Sequence, residues 1–145
     1  MENTNIFKLI HTIEKINNEH IIHFTKAYSY PLGISPILAL SELRSHGALK
    51  QVELANTLGY TKGAMTNIAT KLVNLNLAVR QPDEHDKRTI RMMITPEGEK
   101  ALSEAQTIGK KLFMDIFEVL SEEELNQYLM IQEKLLEAVT KEKRS

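Results

Sequence analysis

Residues 49–94, LKQVELANTLGYTKGAMTNIATKLVNLNLAVRQPDEHDKRTIRMMI, constrain the fold more tightly than any other stretch of the chain. Val52, Leu54, Ala55 and Leu58 recur at helical spacing and predict an amphipathic helix. Gly59 follows, a residue that ends helices because it enters the left-handed region without steric cost. Thr61 then has the hydroxyl of an N-cap, ready for the unpaired amides of a second helix. That helix buries Met65, Ile68, Ala69, Leu72 and Val73 on one side. After it the period shortens to two. Leu77–Arg80 reads as one strand and Thr89–Ile94 as its partner, with Ile90, Met92 and Ile94 alternating onto one face. The pattern is helix, tight turn, helix, hairpin.

The outer face of the second helix carries Lys62, Gly63, Thr66, Asn67, Thr70 and Lys71. An ordinary surface helix also has a polar side, so this face alone decides nothing. It does match what a major groove about 12 Å wide demands, namely small residues on the approach and hydrogen-bonding groups for base edges. The lysines suit phosphates, which position a protein without specifying sequence. Between the strands, Gln81–Arg88 forms a polar, charged tip that is not expected to enter the core.

A charged hairpin beside a helix-turn-helix makes a winged helix, and here the chain resembles the MarR family of bacterial transcriptional regulators. The resemblance rests on M-T-x-x-x-x-K-L in the second helix, the Leu-Ala-Val-Arg strand, and D-K-R in the wing followed by a strand and I-T-P-E-G. It covers nearly the whole chain in element order. It implies that Arg88 enters the minor groove and that Asp86 orients it through an ion pair. It also implies a triangular homodimer, and small aromatic or amphipathic effectors bound where dimerisation helices meet the winged helix. Two departures stand out: Asn76 where the family usually has Gly, and Asn67 where it often has Arg. Asn tolerates a left-handed turn best among non-glycine residues, so the first is mild. The second is expected to alter which bases are read.

Net charge is only −1, an odd value for a nucleic-acid binder until it is mapped. Residues 44–91 carry +4 and the remainder −5, so positive charge gathers on the stretch expected to meet DNA. With no cysteine, disulfides and thiol chemistry are excluded. No apolar run is long enough for a bilayer and MENTNIFKLI does not read as a signal peptide, so a cytoplasmic protein with no membrane partner is expected.

Flanking this stretch, Ile6, Leu9, Ile10, Ile13 and Ile16 stripe a first helix over roughly 5–28, continued by His20, His23 and Phe24. Ser35 and Pro36 are expected as N-cap and first residue of the next helix, which buries Ile37, Leu38, Leu40 and Leu43. Thr95-Pro96-Glu97 opens a fifth helix. Ser121 to Glu124 forms a capping box for a sixth, and the KEKRS tail is expected to fray. A winged helix needs little beyond residues 35–94 for its own core. The flanking apolar faces therefore require cover, worth about 25 cal/mol per Å² removed from water. A second copy across a two-fold axis would supply it, and would set two reading helices about one DNA turn apart. The other solution is a monomer with these helices folded back.

The expected fold is therefore mainly α with a small β-hairpin wing. Residues 1–34 form an N-terminal dimerisation helix and connection, 35–95 a winged helix-turn-helix, and 96–145 C-terminal dimerisation helices. The expected function is a DNA-binding transcriptional repressor acting as a homodimer on a palindromic operator in double-stranded DNA. Thr61, Lys62, Gly63, Thr66, Asn67, Thr70 and Lys71 would face the major groove, and Asp86 would orient Arg88 in the minor groove. Lys87 and Arg91 would meet phosphates. His20, His23, Phe24, Tyr28, Tyr30 and Arg44 are candidate walls of an effector pocket, with Arg44 suited to a carboxylate. Tyr28 and Tyr30 could equally seal the junction after the first helix. No nucleophile elbow, phosphate loop or HExxH pattern is present, so no catalytic residue, cofactor or metal is assigned. Two alternatives remain, a metal-responsive regulator using His20 and His23 with Glu19, Glu42 or His46, and a winged-helix adaptor that docks proteins.

Overall fold

The computed structural model describes the backbone over residues 3–144 and side chains over 5–141. Six helices and three strands follow in the order α1 Asn3–Ala27, α2 Ile34–His46, β1 Leu49–Lys50, α3 Gln51–Leu58, α4 Lys62–Asn74, β2 Ala78–Pro82, β3 Ile90–Ile94, α5 Pro96–Phe117 and α6 Glu122–Arg144. The chain divides into two compact units, Met1–Gly109 and Lys110–Ser145.

Within the first unit, α2, α3 and α4 pack around a core of Ala39, Leu40, Leu43, Leu54, Met65, Ala69 and Leu72, all at most 1% exposed. The sheet has the order β1-β3-β2 and is antiparallel throughout. It closes that core with Leu77, Ala78 and Met92. Strand β1 was not expected. Its two residues, Leu49 and Lys50, pair with Met92 and Arg91, and two residues are too few to show an alternating pattern.

Local chemistry explains the boundaries. Gly59 ends α3 in the left-handed conformation (φ 74°, ψ 28°). The Thr61 hydroxyl caps α4 by accepting from the Ala64 amide at 3.1 Å. Asn76 is left-handed at φ 62°, as expected for the residue standing in for glycine. At the start of α5 the Thr95 hydroxyl donates to the Asn76 carbonyl at 2.7 Å and accepts from the Gly98 amide at 3.0 Å. Gly98 lies so close to the first residues after α4 that an added Cβ would meet the Leu77 carbonyl oxygen at 2.0 Å. Only a residue without a side chain permits that approach.

Several expectations need correction. Helix α2 starts at Ile34 with Gly33 as its N-cap, and Ser35 makes no cap. Pro36 and Ala39 take buried places, whereas Leu38 is 43% exposed. Val52 was placed on the buried stripe of α3, but it is 59% exposed. One residue of the wing tip, Asp83, is buried. The helix α6 backbone continues to Arg144, so the tail is helical there; Ser145 lies outside the described residues.

In the second unit, the Ser121 hydroxyl accepts from the Glu124 amide and the Ser121 amide donates back to the Glu124 carboxylate, at 3.1 and 3.0 Å. This is the reciprocal capping box expected. Phe117 stacks on Phe113 and meets Tyr128 edge-on. Beyond these contacts α6 shows an uncovered apolar face: Leu129, Met130, Ile131, Leu135, Leu136 and Val139 are all more than half exposed. Helix α1 is alike, with Phe7, Leu9, Ile10, Ile13 and Ile16 exposed. Among the described residues no helix is long and apolar enough to cross a membrane.

Candidate nucleic-acid interface

Helix α4 presents the side chains expected of a reading helix. Lys62, Gly63, Thr66, Asn67, Thr70 and Lys71 are exposed, while Met65, Ala69 and Leu72 turn inward. Two of the hydroxyls are already engaged. Thr66 Oγ1 donates to the Lys62 carbonyl at 2.9 Å and accepts from Gln51 Nε2 at 3.2 Å. Thr70 Oγ1 accepts from Arg80 Nη2 at 2.9 Å, and the same nitrogen lies 3.5 Å from the Thr66 carbonyl. Thr61 is likewise occupied as a cap. Asn67 and the two lysines are therefore the more adaptable part of the face, and the threonines its braced part.

Arg80 and Gln51 were not singled out in the sequence. Arg80 lies opposite Met92 in the β2–β3 register, and paired residues share a sheet face. Met92 is buried, so the Arg80 stem leaves the sheet toward α4, where Thr70 is in reach. Strand alternation carried that signal. Gln51 had none, since its contact depends on how α3 crosses α4.

The wing is held by hydrogen bonds rather than apolar packing. Asp86 Oδ1 accepts from the Arg88 amide at 3.1 Å and from Arg88 Nε at 3.4 Å. Asp86 Oδ2 accepts from Thr89 Oγ1 at 3.1 Å. These bonds hold the Asp86 carboxyl below the usual carboxylate range, the Arg88 amide contributing most. The Arg88 side chain is 94% exposed, so the ion pair restrains its base while the guanidinium stays in solvent. The expected Asp86–Arg88 pair is present.

Arg91 has partners within the fold. Its Nε donates to Asp83 Oδ1 and its Nη1 to the Ala48 carbonyl at 3.1 Å. Two of the guanidinium nitrogens thus have internal partners, while the side chain is 37% exposed. Asp83 Oδ2 accepts in turn from the amides of His85 and Asp86 at 3.2 and 3.1 Å. The Arg91 bond chiefly, and these amides, hold Asp83 below the ordinary carboxylate range against the opposing effect of burial.

Three of the residues considered for an effector pocket, Tyr28, Tyr30 and Arg44, bond to α5. Tyr28 is 7% exposed and donates to the Ala101 carbonyl at 2.8 Å; burial, helped by Glu104 and Tyr30, pushes its hydroxyl up to about 12. Tyr30 donates to Glu97 at 2.7 Å and Arg44 to Gln106 at 2.8 Å. The rings of Phe24, Tyr28 and Tyr30 meet in sequence at 5.0 and 5.5 Å, tilted by 39° and 46°. The Ser29 amide and hydroxyl both donate to Glu104. The tyrosines thus fasten the segment after α1 to the first turns of α5. His20 is half-buried, and His23 pairs with Glu19 at 3.7 Å. Glu42 and His46 form a second helical pair at 3.2 Å. Among the described residues no three metal-ligating side chains gather into one group.

A reading helix, a turn that sets its angle and a hairpin raising an arginine beside it define a winged helix-turn-helix protein. The chain belongs to the MarR family of transcriptional regulators. Residues 31–89 match the family's model. The transcriptional repressor MdtR of Bacillus subtilis (strain 168) is 32% identical over 108 residues, spanning 73% of this chain and 70% of that one. Among solved structures, the YusO protein from Bacillus subtilis is similar with a TM-score of 0.77 and 26% identity, over 95% of this chain and 99% of that one. A mutant MarR from E. coli, complexed with operator DNA, shares the fold with a TM-score of 0.74 at 22% identity, over 94% and 99% of the two chains.

Proposed function

We propose that the protein represses transcription as a homodimer that occupies a palindromic operator. The observation that carries this reading is the pairing of two features on one unit. An exposed helix face of Lys62, Gly63, Asn67 and Lys71 lies beside a wing whose Arg88 is restrained by Asp86 yet almost wholly in solvent. A helix face of this kind fits base edges in the major groove, and a projecting arginine fits the narrow, electronegative minor groove. The uncovered apolar faces of α1 and α6 support a two-fold partner, because a single chain leaves them in water. The operator-bound fold neighbour supports the same mode of use.

In this reading Lys87 remains a phosphate ligand, while two of the Arg91 guanidinium nitrogens are engaged by Asp83 and Ala48. Residues 1–34 and 96–145 supply the dimer, 35–95 the reader. The role is regulatory rather than enzymatic, and a DNA target makes the cytoplasm the place of action. An effector seated against Tyr30 and Arg44 would exchange their bonds to Glu97 and Gln106 for its own, so relief by a ligand would begin by loosening the fastening of α5.

The test is selection from a randomised duplex library, followed by a salt titration on the enriched sequence. A palindrome with half-sites about one turn apart, and affinity falling steeply with salt, is the expected result. Weak binding without an enriched motif would overturn it in favour of a protein-docking winged helix.

A further inference from the structure

A continuous set of polar bonds runs from the α2–β1 connection to the wing tip. Ala48 gives its carbonyl to Arg91 Nη1, and Arg91 Nε donates to Asp83 Oδ1. Asp83 Oδ2 then accepts both the His85 and Asp86 amides. Asp86 in turn receives the Arg88 amide and side chain. Around this path the wing is closed by backbone bonds from the Asp83 amide to the Thr89 carbonyl and from the Thr89 amide to the Asp86 carbonyl, both 2.9 Å. Asp83 is the one residue of the tip that is buried, at 5% exposure, although flanked by exposed Pro82 and Glu84. A carboxylate removed from water is stable there only because both its oxygens are satisfied.

We propose that Asp83 and Arg91 are positioning residues for DNA binding, holding the wing tip so that Asp86 can present Arg88. This rests on the reading of Arg88 as a DNA contact. The physical reason is the shape of the hairpin. Its strands end at Pro82 and Ile90, and the tip between them contributes no fully buried apolar side chain, so only hydrogen bonds restrain its conformation. An unrestrained arginine would lose conformational freedom on entering a groove, at a cost that prior ordering removes. Asp83 fixes the peptide on which Asp86 sits. Arg91, anchored to a carbonyl outside the hairpin, fixes Asp83.

Charge makes the proposal sharp. Deleting an acidic residue from a loop beside DNA strengthens binding if long-range electrostatics alone acts. Positioning predicts the opposite sign. In the full-length protein, Asp83→Ala is expected to weaken binding to the enriched duplex about tenfold. Arg91→Lys, which keeps the charge but not the fork geometry, is expected to do the same. The salt dependence of Asp83→Ala should shift toward that of Arg88→Ala, whose slope drops by about 1. Adding Asp83→Ala to Arg88→Ala should cost nothing further, since the two act through one contact. Melting temperature and circular dichroism are recorded for each variant, with Asp83→Asn as the milder substitution if Asp83→Ala fails to fold. Unchanged or tighter binding by a folded Asp83 variant, with Arg88→Ala still weakened, overturns the positioning role and leaves the function intact. Full affinity in Arg91→Lys would return that residue to phosphate contact and overturn its part. If Arg88→Ala binds normally, the wing reading falls and the proposal falls with it.

Discussion

The winged helix and the flanking helices solve the same problem of apolar burial in opposite ways. In residues 35–95, Leu40, Leu54, Met65, Leu72 and Met92 are fully enclosed. Helix α6, with 23 residues, has no buried side chain among its described residues, and α1 exposes most of its isoleucines. Both regions have comparable amphipathic patterns in the sequence. Periodicity therefore reports that a face wants cover, and says nothing of whether the cover lies in the same chain. The winged helix closes its core with help from Tyr28, Leu32, Ala101, Leu102 and Ala105 of the flanking segments, whereas the apolar faces of α1 and α6 find no cover within the single chain.

The largest test of that contrast is to charge the uncovered face. Leu129→Lys combined with Leu135→Lys is expected to convert a dimer to a monomer in sedimentation and to abolish operator binding, with the winged helix still folded by circular dichroism. A wild-type protein that sediments as a monomer would break the comparison outright. Within the closed core, Leu54→Ala removes a fully buried side chain and is expected to cost about 2–5 kcal/mol in urea unfolding. Retained stability would show the core less complete than described. Arg88→Ala addresses the exposed part of the same unit: operator affinity should fall by about 1–3 kcal/mol while the unfolding midpoint stays fixed.

The smallest effect concerns the junction. Tyr28→Phe leaves the tilted ring contacts but removes the bond to Ala101, for a loss of about 1 kcal/mol at neutral pH. The pH dependence gives its signature. Tyr28 holds its proton in the folded state up to about 12, above its unfolded value near 10. Its contribution is thus complete below pH 10 and is lost as pH rises from there through the folded value. Tyr28→Phe should flatten that alkaline loss. Asp83 and Asp86 have the opposite sign, being lowered in the fold. Their contribution is present above the ordinary carboxylate range and disappears on acidification.

Much of the site was legible from residue types at fixed spacings. The Thr61 cap, the Thr95-Pro96 start of α5 and the outward face of α4 depend on neighbours within a few positions, while the left-handed Asn76 and the Asp86–Arg88 pair were what the family resemblance implied. Where a side chain's surroundings depend on distant parts of the chain, the sequence carried no signal. Val52 fits a helical stripe, but the side of α3 that meets the core is the one carrying Leu54 and Ala55, and Val52 is 59% exposed. Arg91 looks like one more cation of a basic wing until Ala48, 43 positions away in sequence, is brought beside it.

Sequence alone thus determined the six helices and the wing hairpin in their order, the caps at Thr61 and Ser121, and the polar face of α4, because each follows from local backbone sterics and hydrogen-bonding capacity; strand β1 and the start of α2 it did not. Tertiary structure alone decided which charged groups are displayed and which are committed. Lys62 and Arg88 face solvent, Arg80 lies across the exposed face of α4 on Thr70, and Arg91 and Asp83 are bonded to each other. What a charged group can reach depends on how its internal partners hold it: Asp86 leaves Arg88 projecting into solvent, whereas Asp83 and the Ala48 carbonyl engage Arg91, and such partners meet only when the chain has folded.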